Sequence, residues 1–118
     1  MSRCITWIVV VEVPAENRAA WEALAEEMSA ATAEESGTLI YEWHWNAGGD
    51  TCSLIERYVD SDAAMIHVGN FGAKFAGRFT TLGTPVRLDA YGPVSDALRA
   101  ALDGFGASYH AAFAGFGR

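Results

Sequence analysis

The chain has 118 residues and carries 15 acidic against 8 basic side chains, which gives a net charge of −7 with neutral histidines. One domain is what this length supports, and a hydrophobic content of 51% excludes a disordered chain. The acidic balance argues against nucleic acid as a partner, and the longest apolar run, Trp7 to Val11, is far shorter than the roughly 18–20 residues of a membrane span.

The N-terminal third of the chain predicts a strand followed by a helix. Residues 5–13 are β-branched or aromatic at nearly every position, which is typical of a strand covered on both faces. Pro14 ends this strand and suits the first turn of a helix, and Gly37 suits the end of that helix. Between them, apolar residues recur at helical spacing: Trp21, Leu24, Met28 and Ala31. We therefore expect an amphipathic helix across this segment.

The middle of the chain predicts a β-hairpin. Residues 38–46 and 51–59 are rich in aromatic and β-branched types, and the second run alternates apolar with polar positions. The four residues between them, Ala47-Gly-Gly-Asp50, form a turn cluster. We therefore expect two antiparallel neighbouring strands.

A second helix and a fourth strand follow. Ser61 is placed to cap a helix that runs to about Leu82, and glycines predict a break near Gly69–Gly72. Three phenylalanines recur on one face of this helix as a core stripe: Phe71, Phe75 and Phe79. After Pro85, the residues from Val86 to Tyr91 predict a short strand.

The order β-α-β-β-α-β is typical of the ferredoxin-like α+β fold, in which a four-stranded antiparallel sheet carries both helices on one face. The other sheet face would then be exposed, and a large exposed apolar patch normally marks an interface or a ligand groove. We therefore predict that residues 1–92 form one domain and that two copies pair as a homodimer, with their open sheet faces turned toward each other.

Residues 93–118 form a C-terminal segment outside this pattern. Ser95 can cap a short helix that ends at Leu102, and a tail rich in Gly, Ala and aromatic residues follows it. If the tail is helical, its aromatic residues form one stripe: Phe105, Tyr109, Phe113 and Phe116. Because four exposed aromatic side chains would be unfavourable, we expect the tail to pack on its own domain or on the partner subunit.

The numbers and spacing of the cysteines and histidines limit which disulfides and metal sites the chain can form. In the predicted sheet, Cys4 and Cys52 lie at opposite ends of neighbouring strands, so both are expected to be free thiols. The spacing of His44, His67 and His110 fits no metal motif, and the chain has no flavin or nicotinamide motif, so we predict neither a metal site nor a cofactor. The N-terminus has no signal-peptide cleavage site, from which we expect a cytoplasmic protein.

Two ionisable residues are the candidate catalytic groups. The His67 side chain titrates near neutrality and can both accept and return a proton. Glu56 shares one face of the third predicted strand with Tyr58 and apolar neighbours, so burial would raise its pKa and prepare it for proton transfer. The alternative is a structural role, with His67 hydrogen-bonded in the core and Glu56 paired with Tyr58 or a backbone amide.

Aromatic side chains on the strands are candidates for substrate binding. Trp7, Tyr41 and Trp43 could line a cavity for a flat aromatic substrate, because ring faces and edges stack well. Tyr58 could orient such a substrate, and Asn70, placed at the predicted helix break, could donate a hydrogen bond to it. The alternatives are core or dimer packing for the aromatic residues and helix capping for Asn70.

Three segments together resemble the antibiotic biosynthesis monooxygenase family of dimeric α/β barrels. They are a glycine-led second strand with a tyrosine, Glu35-Ser-Gly-Thr-Leu-Ile-Tyr-Glu-Trp43, the end of the third strand, Glu56-Arg-Tyr58, and the start of the second helix, Ser61-Asp-Ala-Ala-Met-Ile-His67. The resemblance spans roughly residues 4–92 and leaves the tail outside. It implies a dimeric α/β barrel and matches His67 to a histidine on the family's second helix.

The resemblance also implies a cofactor-independent monooxygenase. In that reaction O₂ oxidises a small electron-rich aromatic, such as a hydroquinone, a phenol or a polyketide-like ring, and the substrate supplies the electrons. His67, or Glu56 in its place, would remove a phenolic proton. Haem-degrading relatives use an Asn on the first strand and a later His on the second helix, and this chain has neither. Two alternatives stay open, a non-catalytic dimer that binds a small ligand or another protein and a cofactor-free isomerase or cyclase.

Overall fold

The computed structural model describes residues 2–118 and consists of a five-stranded mixed sheet with helices packed on one face. The strands are β1 (Ile5–Glu12), β2 (Thr38–Trp45), β3 (Thr51–Tyr58), β4 (Thr84–Tyr91) and β5 (Ser108–His110). The helices are α1 (Arg18–Thr32), α2 (Ser61–Lys74), α3 (Ala76–Leu82) and α4 (Asp96–Asp103), and a 3-10 turn at Ala15–Asn17 precedes α1. Within residues 2–118, none of the helices has the length and apolar character that a bilayer crossing requires.

The strand order is β2-β3-β1-β4-β5, with antiparallel pairing at every junction except the last. The ferredoxin-like α+β fold is confirmed, but the prediction of four antiparallel strands is wrong at one edge. There β5 runs parallel to Asp89–Tyr91. Gly106, with a φ of +69°, lets the chain turn after α4 and reach the free edge of β4. A three-residue strand made by such a distant pairing has no periodic signal in the sequence.

One face of the sheet is buried and the other is half-buried. On β1, every second side chain lies under the helices: Ile5, Trp7, Val9 and Val11. The residues between them, Thr6, Ile8 and Val10, point to the opposite face. Within residues 2–118 of one chain the helices supply a layer on one side of β1 alone, so cover on the other face stays a prediction that depends on the partner subunit.

The predicted helix break near Gly69–Gly72 is also wrong. Helix α2 continues through both glycines to Lys74, and the break lies at Phe75, whose φ and ψ are −125° and −22°. This break lets α2 and α3 change direction while both Phe75 and Phe79 stay buried. Asn70 consequently lies inside α2 rather than at its end.

The residues at the start of α2 and of α4 cap these helices, and a hydrogen bond joins the two helix starts. Ser95 caps α4 as predicted, because its hydroxyl accepts a hydrogen bond from the backbone N–H of Leu98. At α2 the cap is Asp60, which accepts from Ala63 N at 2.9 Å, and the prediction of Ser61 is one residue late. The Ser61 hydroxyl instead accepts from the backbone N–H of Ser95 at 3.0 Å.

The C-terminal segment is partly integrated into the core. Leu98 and Leu102 on α4 are buried in the same cluster as the sheet residues. The Tyr109 hydroxyl on β5 donates a hydrogen bond to the Asp103 carboxylate, with 2.5 Å between the oxygen atoms. Farther along, Phe113 and Phe116 are 95% and 81% exposed. The segment thus packs on its own domain as far as β5, whereas these last aromatic residues contact solvent.

The two cysteines are free thiols, as predicted. Cys52 pairs with Val11 near one end of the β1/β3 ladder, whereas Cys4 lies just beyond the Ile5–Tyr58 pair at the other end. The strand length between them prevents a disulfide within one chain.

Candidate active site

A buried carboxyl, imidazole and phenol meet where β3 packs under α2. Glu56 and Tyr58 point from β3 toward the helices, and His67 points down from α2. The Tyr58 hydroxyl donates to Glu56 Oε1 at 2.5 Å, and His67 Nε2 lies 3.3 Å from the same oxygen. Glu56 is 3% exposed and His67 is 5% exposed. The structure therefore places His67 against the Glu56 and Tyr58 pair that the sequence put on one strand face.

A second carboxylate, Glu35, lies on the other side of the imidazole. His67 Nδ1 is 2.9 Å from Glu35 Oε1. The Thr38 hydroxyl donates to the same oxygen at 3.0 Å, and Asn70 Nδ2 donates to Oε2 at 3.1 Å. Both ring nitrogens of His67 thus face carboxylates, and Asn70 positions Glu35 rather than pointing to a substrate.

Sequence reasoning missed the role of Glu35. This residue follows α1 in the short connection to β2, where an acidic side chain normally contacts solvent. The contact with His67 spans 32 positions along the chain and depends on how α2 packs against the connection between α1 and β2. Its only sequence signal was its place at the start of the segment that resembles the monooxygenase family.

Burial controls the protonation of the site. Burial raises the pKa of Glu56 above its ordinary value, and the nearby His67 and the hydrogen bond from Tyr58 act in the opposite direction. Burial, reinforced by the negative charge of Glu56, also raises the pKa of Tyr58. A carboxyl that holds its proton at higher pH can act as an acid or, once deprotonated, as a strong base.

Tyr41 adds an unused hydrogen-bond donor. Its ring packs edge-on against His67, with 5.2 Å between centroids. Its hydroxyl is buried and makes no hydrogen bond of normal geometry among residues 2–118. Burial, with the charge of Glu56 as the next cause, raises the pKa of Tyr41, although the Thr32 side chain lies close enough to lower this pKa slightly. A buried hydroxyl without a partner is unfavourable, so a hydrogen bond from this group to an oxygen atom of a ligand would be favourable.

These groups border a cavity of about 60 Å³ between the sheet and the helices. Four of its wall residues are Trp7, Tyr41, Glu56 and His67. Most of the remaining wall is apolar and includes Leu54, Phe71, Phe79, Leu88, Leu102 and Phe105. An apolar pocket with a few convergent polar groups is typical of a small-molecule site.

Not every predicted site residue lies on this cavity. Trp43 contacts Tyr41 edge-on, but its indole N–H donates to Ser29 and its ring packs on Trp21. It supports the cavity wall from behind, as core packing. Tyr58 and Asn70 also lie behind the wall and contact Glu56 and Glu35, respectively.

No group of three or more His, Cys, Asp or Glu side chains within residues 2–118 has the arrangement of a metal site. Cys52 is buried, and burial raises the pKa of its thiol, which makes it a weak ligand and nucleophile.

Comparisons with known proteins connect this site to a family. Residues 4–74 match the model of the antibiotic biosynthesis monooxygenase family. No curated protein matches the chain. MupZ from Pseudomonas fluorescens has 25% sequence identity and a TM-score of 0.91, over 100% of this chain and 91% of that chain. Rv0793 from Mycobacterium tuberculosis has 27% identity and a TM-score of 0.64, over 80% of this chain and 98% of that chain.

SnoaB from Streptomyces nogalater, a cofactor-independent oxygenase, has 16% identity and a TM-score of 0.69, over 80% of this chain and 96% of that chain. At that identity the likeness shows a shared fold. The match to the family model covers more than half of the sequence and includes Glu35, Glu56 and His67. The family resemblance seen in the sequence is therefore confirmed, and the chain belongs to the antibiotic biosynthesis monooxygenase family.

Proposed function

We propose that this chain is a cofactor-independent monooxygenase that oxidises a small electron-rich aromatic compound, such as a hydroquinone, a phenol or a polyketide-like ring, with O₂. The observation that carries the proposal is the buried Glu56–His67 pair at the wall of an aromatic cavity. The pair can take a proton from a bound substrate, and the apolar wall excludes water from the resulting anion. Membership of a family that includes cofactor-independent oxygenases supports the same reaction class.

In the proposed reaction, Glu56 contacts the substrate and His67 acts through Glu56. Both side chains border the cavity, but both ring nitrogens of His67 already face carboxylates. The carboxylate form of Glu56 takes a proton from the substrate, and the Tyr41 hydroxyl donates a hydrogen bond to the oxygen that becomes negative. Tyr58 fixes the orientation of Glu56, and Trp7 provides a ring face for stacking.

Substrate electrons then reduce O₂. Oxygenation of an activated CH₂ group consumes one O₂ and yields a carbonyl and one water, so one oxygen atom enters the product. A hydroquinone that is only oxidised would lose two protons and two electrons and yield a quinone and hydrogen peroxide. Neither balance needs another reductant.

The cavity must widen to admit an aromatic ring. Pockets for molecules of that class enclose roughly 300–1,000 Å³, and this cavity holds about 60 Å³. Phe105, which is 47% exposed, forms part of its outer wall and can swing outward without breaking a core contact of the sheet. We propose that the substrate enters past Phe105.

Oxygen uptake with a panel of hydroquinones, polyphenols and anthrone-like compounds tests the proposal. Glu56→Gln keeps the shape of the side chain but cannot take a proton, so uptake should fall about 10²–10⁴-fold. Glu26→Gln, on the exposed face of α1, is the matched control. His67→Ala should also lose activity if His67 supports Glu56. Equal uptake in the Glu56 variant and the wild type would remove this residue from the chemistry.

A specific observation favours a second candidate, an isomerase or cyclase that works by proton transfer alone. Glu56, with its raised pKa, and Tyr41, with its unused hydroxyl, place two hydrogen-bond donors on one cavity. An acid-catalysed ring closure uses both donors, whereas the proposed oxidation uses the Tyr41 donor and the deprotonated form of Glu56. Turnover that continues at the same rate without oxygen would identify this reaction. A ligand that binds and is recovered unchanged under air would instead indicate a non-catalytic binding module.

We also propose that the protein acts as a homodimer in the cytoplasm. The half-buried residues Ile8, Val10 and Ile55 form an apolar patch on the open sheet face, and a second copy would cover it. Light scattering should give twice the mass of one chain, and replacing Ile8 with Lys should reduce it to one.

A further inference from the structure

We propose that Glu35 carries protons between Glu56 and the protein surface through His67, by a route separate from the entry of the substrate. The inference rests on the proposed function, because it assigns a path to the proton that Glu56 exchanges with the substrate. It makes Glu35 a proton-transfer residue rather than a structural anchor.

The three side chains are arranged in series. Glu56 Oε1 lies 3.3 Å from His67 Nε2, and Glu35 Oε1 lies 2.9 Å from Nδ1 on the other side of the same ring. The side chains of His67, Glu56 and Glu35 are 7%, 4% and 9% exposed, respectively. A proton on Glu56 therefore has an imidazole within reach, and the imidazole has a further acceptor.

The far end of the series opens to solvent. Glu35 borders a surface concavity of about 320 Å³ between the end of α1 and the outer side of α2. Glu34, Asn70 and Lys74 border the same concavity, which shares no wall residue with the cavity at Glu56. Water in this concavity can exchange protons with Glu35 while a bound substrate closes the other side.

The proposed transfer balances at each atom. His67 begins with its proton on Nδ1, donated to Glu35. The proton of Glu56 moves to His67 Nε2, which breaks an O–H bond and forms an N–H bond. At the same time the Nδ1 proton moves to Glu35 Oε1, which breaks an N–H bond and forms an O–H bond. Glu35 then gives its proton to water. When the next proton moves inward, the same bonds reverse and the first tautomer returns.

The surroundings of Glu35 suit an acceptor held in place. Thr38 and Asn70 each donate a hydrogen bond to its carboxylate, which leaves Oε1 aimed at the imidazole. The charged or titratable groups nearby are His67 and Lys74 from α2, Glu34 just after α1, and, beyond the imidazole ring, Glu56, Tyr41 and Tyr58. A residue that only anchored the loop would not need a histidine between itself and a second buried carboxyl.

Proton exchange measured by NMR tests the route without any substrate. In ¹⁵N-histidine-labelled protein, the His67 ring N–H should exchange with water through Glu35. Glu35→Gln still accepts a hydrogen bond but cannot take up the proton, so exchange should slow about tenfold or more, equivalent to a barrier about 1.4 kcal/mol higher. Glu34→Gln, at the same concavity, should exchange at the wild-type rate. Equal rates in the Glu35 variant and the wild type would overturn the proposal.

Chemical rescue provides a second readout. Glu35→Ala should lose turnover about 10²-fold, the lower end for a positioned proton-transfer group, and formate, which fits the vacated space, should restore it with a saturating dependence. Loss of turnover without rescue, in a variant with the wild-type thermal midpoint, would contradict the route. If the wild type turns over none of the tested substrates, the proposed function fails, and the exchange experiment still decides the proton route.

Discussion

Replacing Glu56 with Gln should remove a pH dependence of stability that the buried carboxyl creates. Glu56 is 3% exposed, and burial raises its pKa above the ordinary value of 4.5. Between that value and the folded-state pKa, the folded protein binds a proton that the unfolded chain has released. The free energy of unfolding therefore falls as pH rises through this window, with a slope of up to about 1.4 kcal/mol per pH unit for one proton.

The Gln side chain is neutral at every pH and can still accept the hydrogen bond from Tyr58. The stability of the variant relative to the wild type should therefore increase with pH across the window and level off above it. Urea denaturation from about pH 5 to 8 measures both proteins, and Glu26→Gln on the exposed face of α1 controls for loss of a negative charge. Parallel curves for the Glu56 variant and the wild type would refute the reasoning.

Four further substitutions test other parts of the structure. Tyr41→Phe removes a buried hydroxyl that makes no hydrogen bond of normal geometry within residues 2–118, so the thermal midpoint should hold or rise while the KM for a bound substrate increases. Leu102→Ala should cost about 2–5 kcal/mol in urea denaturation, because this side chain is 1% exposed, and a loss well below that range would mean that α4 packs loosely. Gly37→Ala should lower the thermal midpoint, because a Cβ there would lie 2.5 Å from Ala63 Cβ. Gly72→Ala meets no atom within 4 Å and should raise the unfolding free energy, by up to about 1 kcal/mol.

The order of the first four strands and their helices could be predicted because each element has a local pattern. Residues 5–13 are β-branched or aromatic at nearly every position and contain β1, and Trp21, Leu24 and Met28 bury one face of α1. Glu56 and Tyr58 were predicted to share a buried face because side chains two apart on a strand point the same way. The burial of Glu56 followed from the same argument and is seen in the structure, and burial raises the pKa of this carboxyl.

The features that sequence reasoning missed depend on contacts between distant segments. Strand β5 has three residues and pairs with a strand about 20 positions earlier. The break at Phe75 reflects the burial of two phenylalanines in one core, which the glycines nearby do not reveal. Glu35 joins the site because α2 packs against the connection between α1 and β2, and no local pattern encodes that approach.

The short length of β5 has a consequence for association between molecules. It covers β4 only along Asp89–Tyr91, so the backbone of the preceding residues remains at a free edge. In that part of β4, Pro85 lacks a backbone N–H for pairing and Arg87 carries a positive charge. Both features oppose the addition of a strand from another molecule. At the opposite edge, β2 presents eight residues with no proline. If the protein aggregates through its sheet, β2 is the strand at which growth should begin.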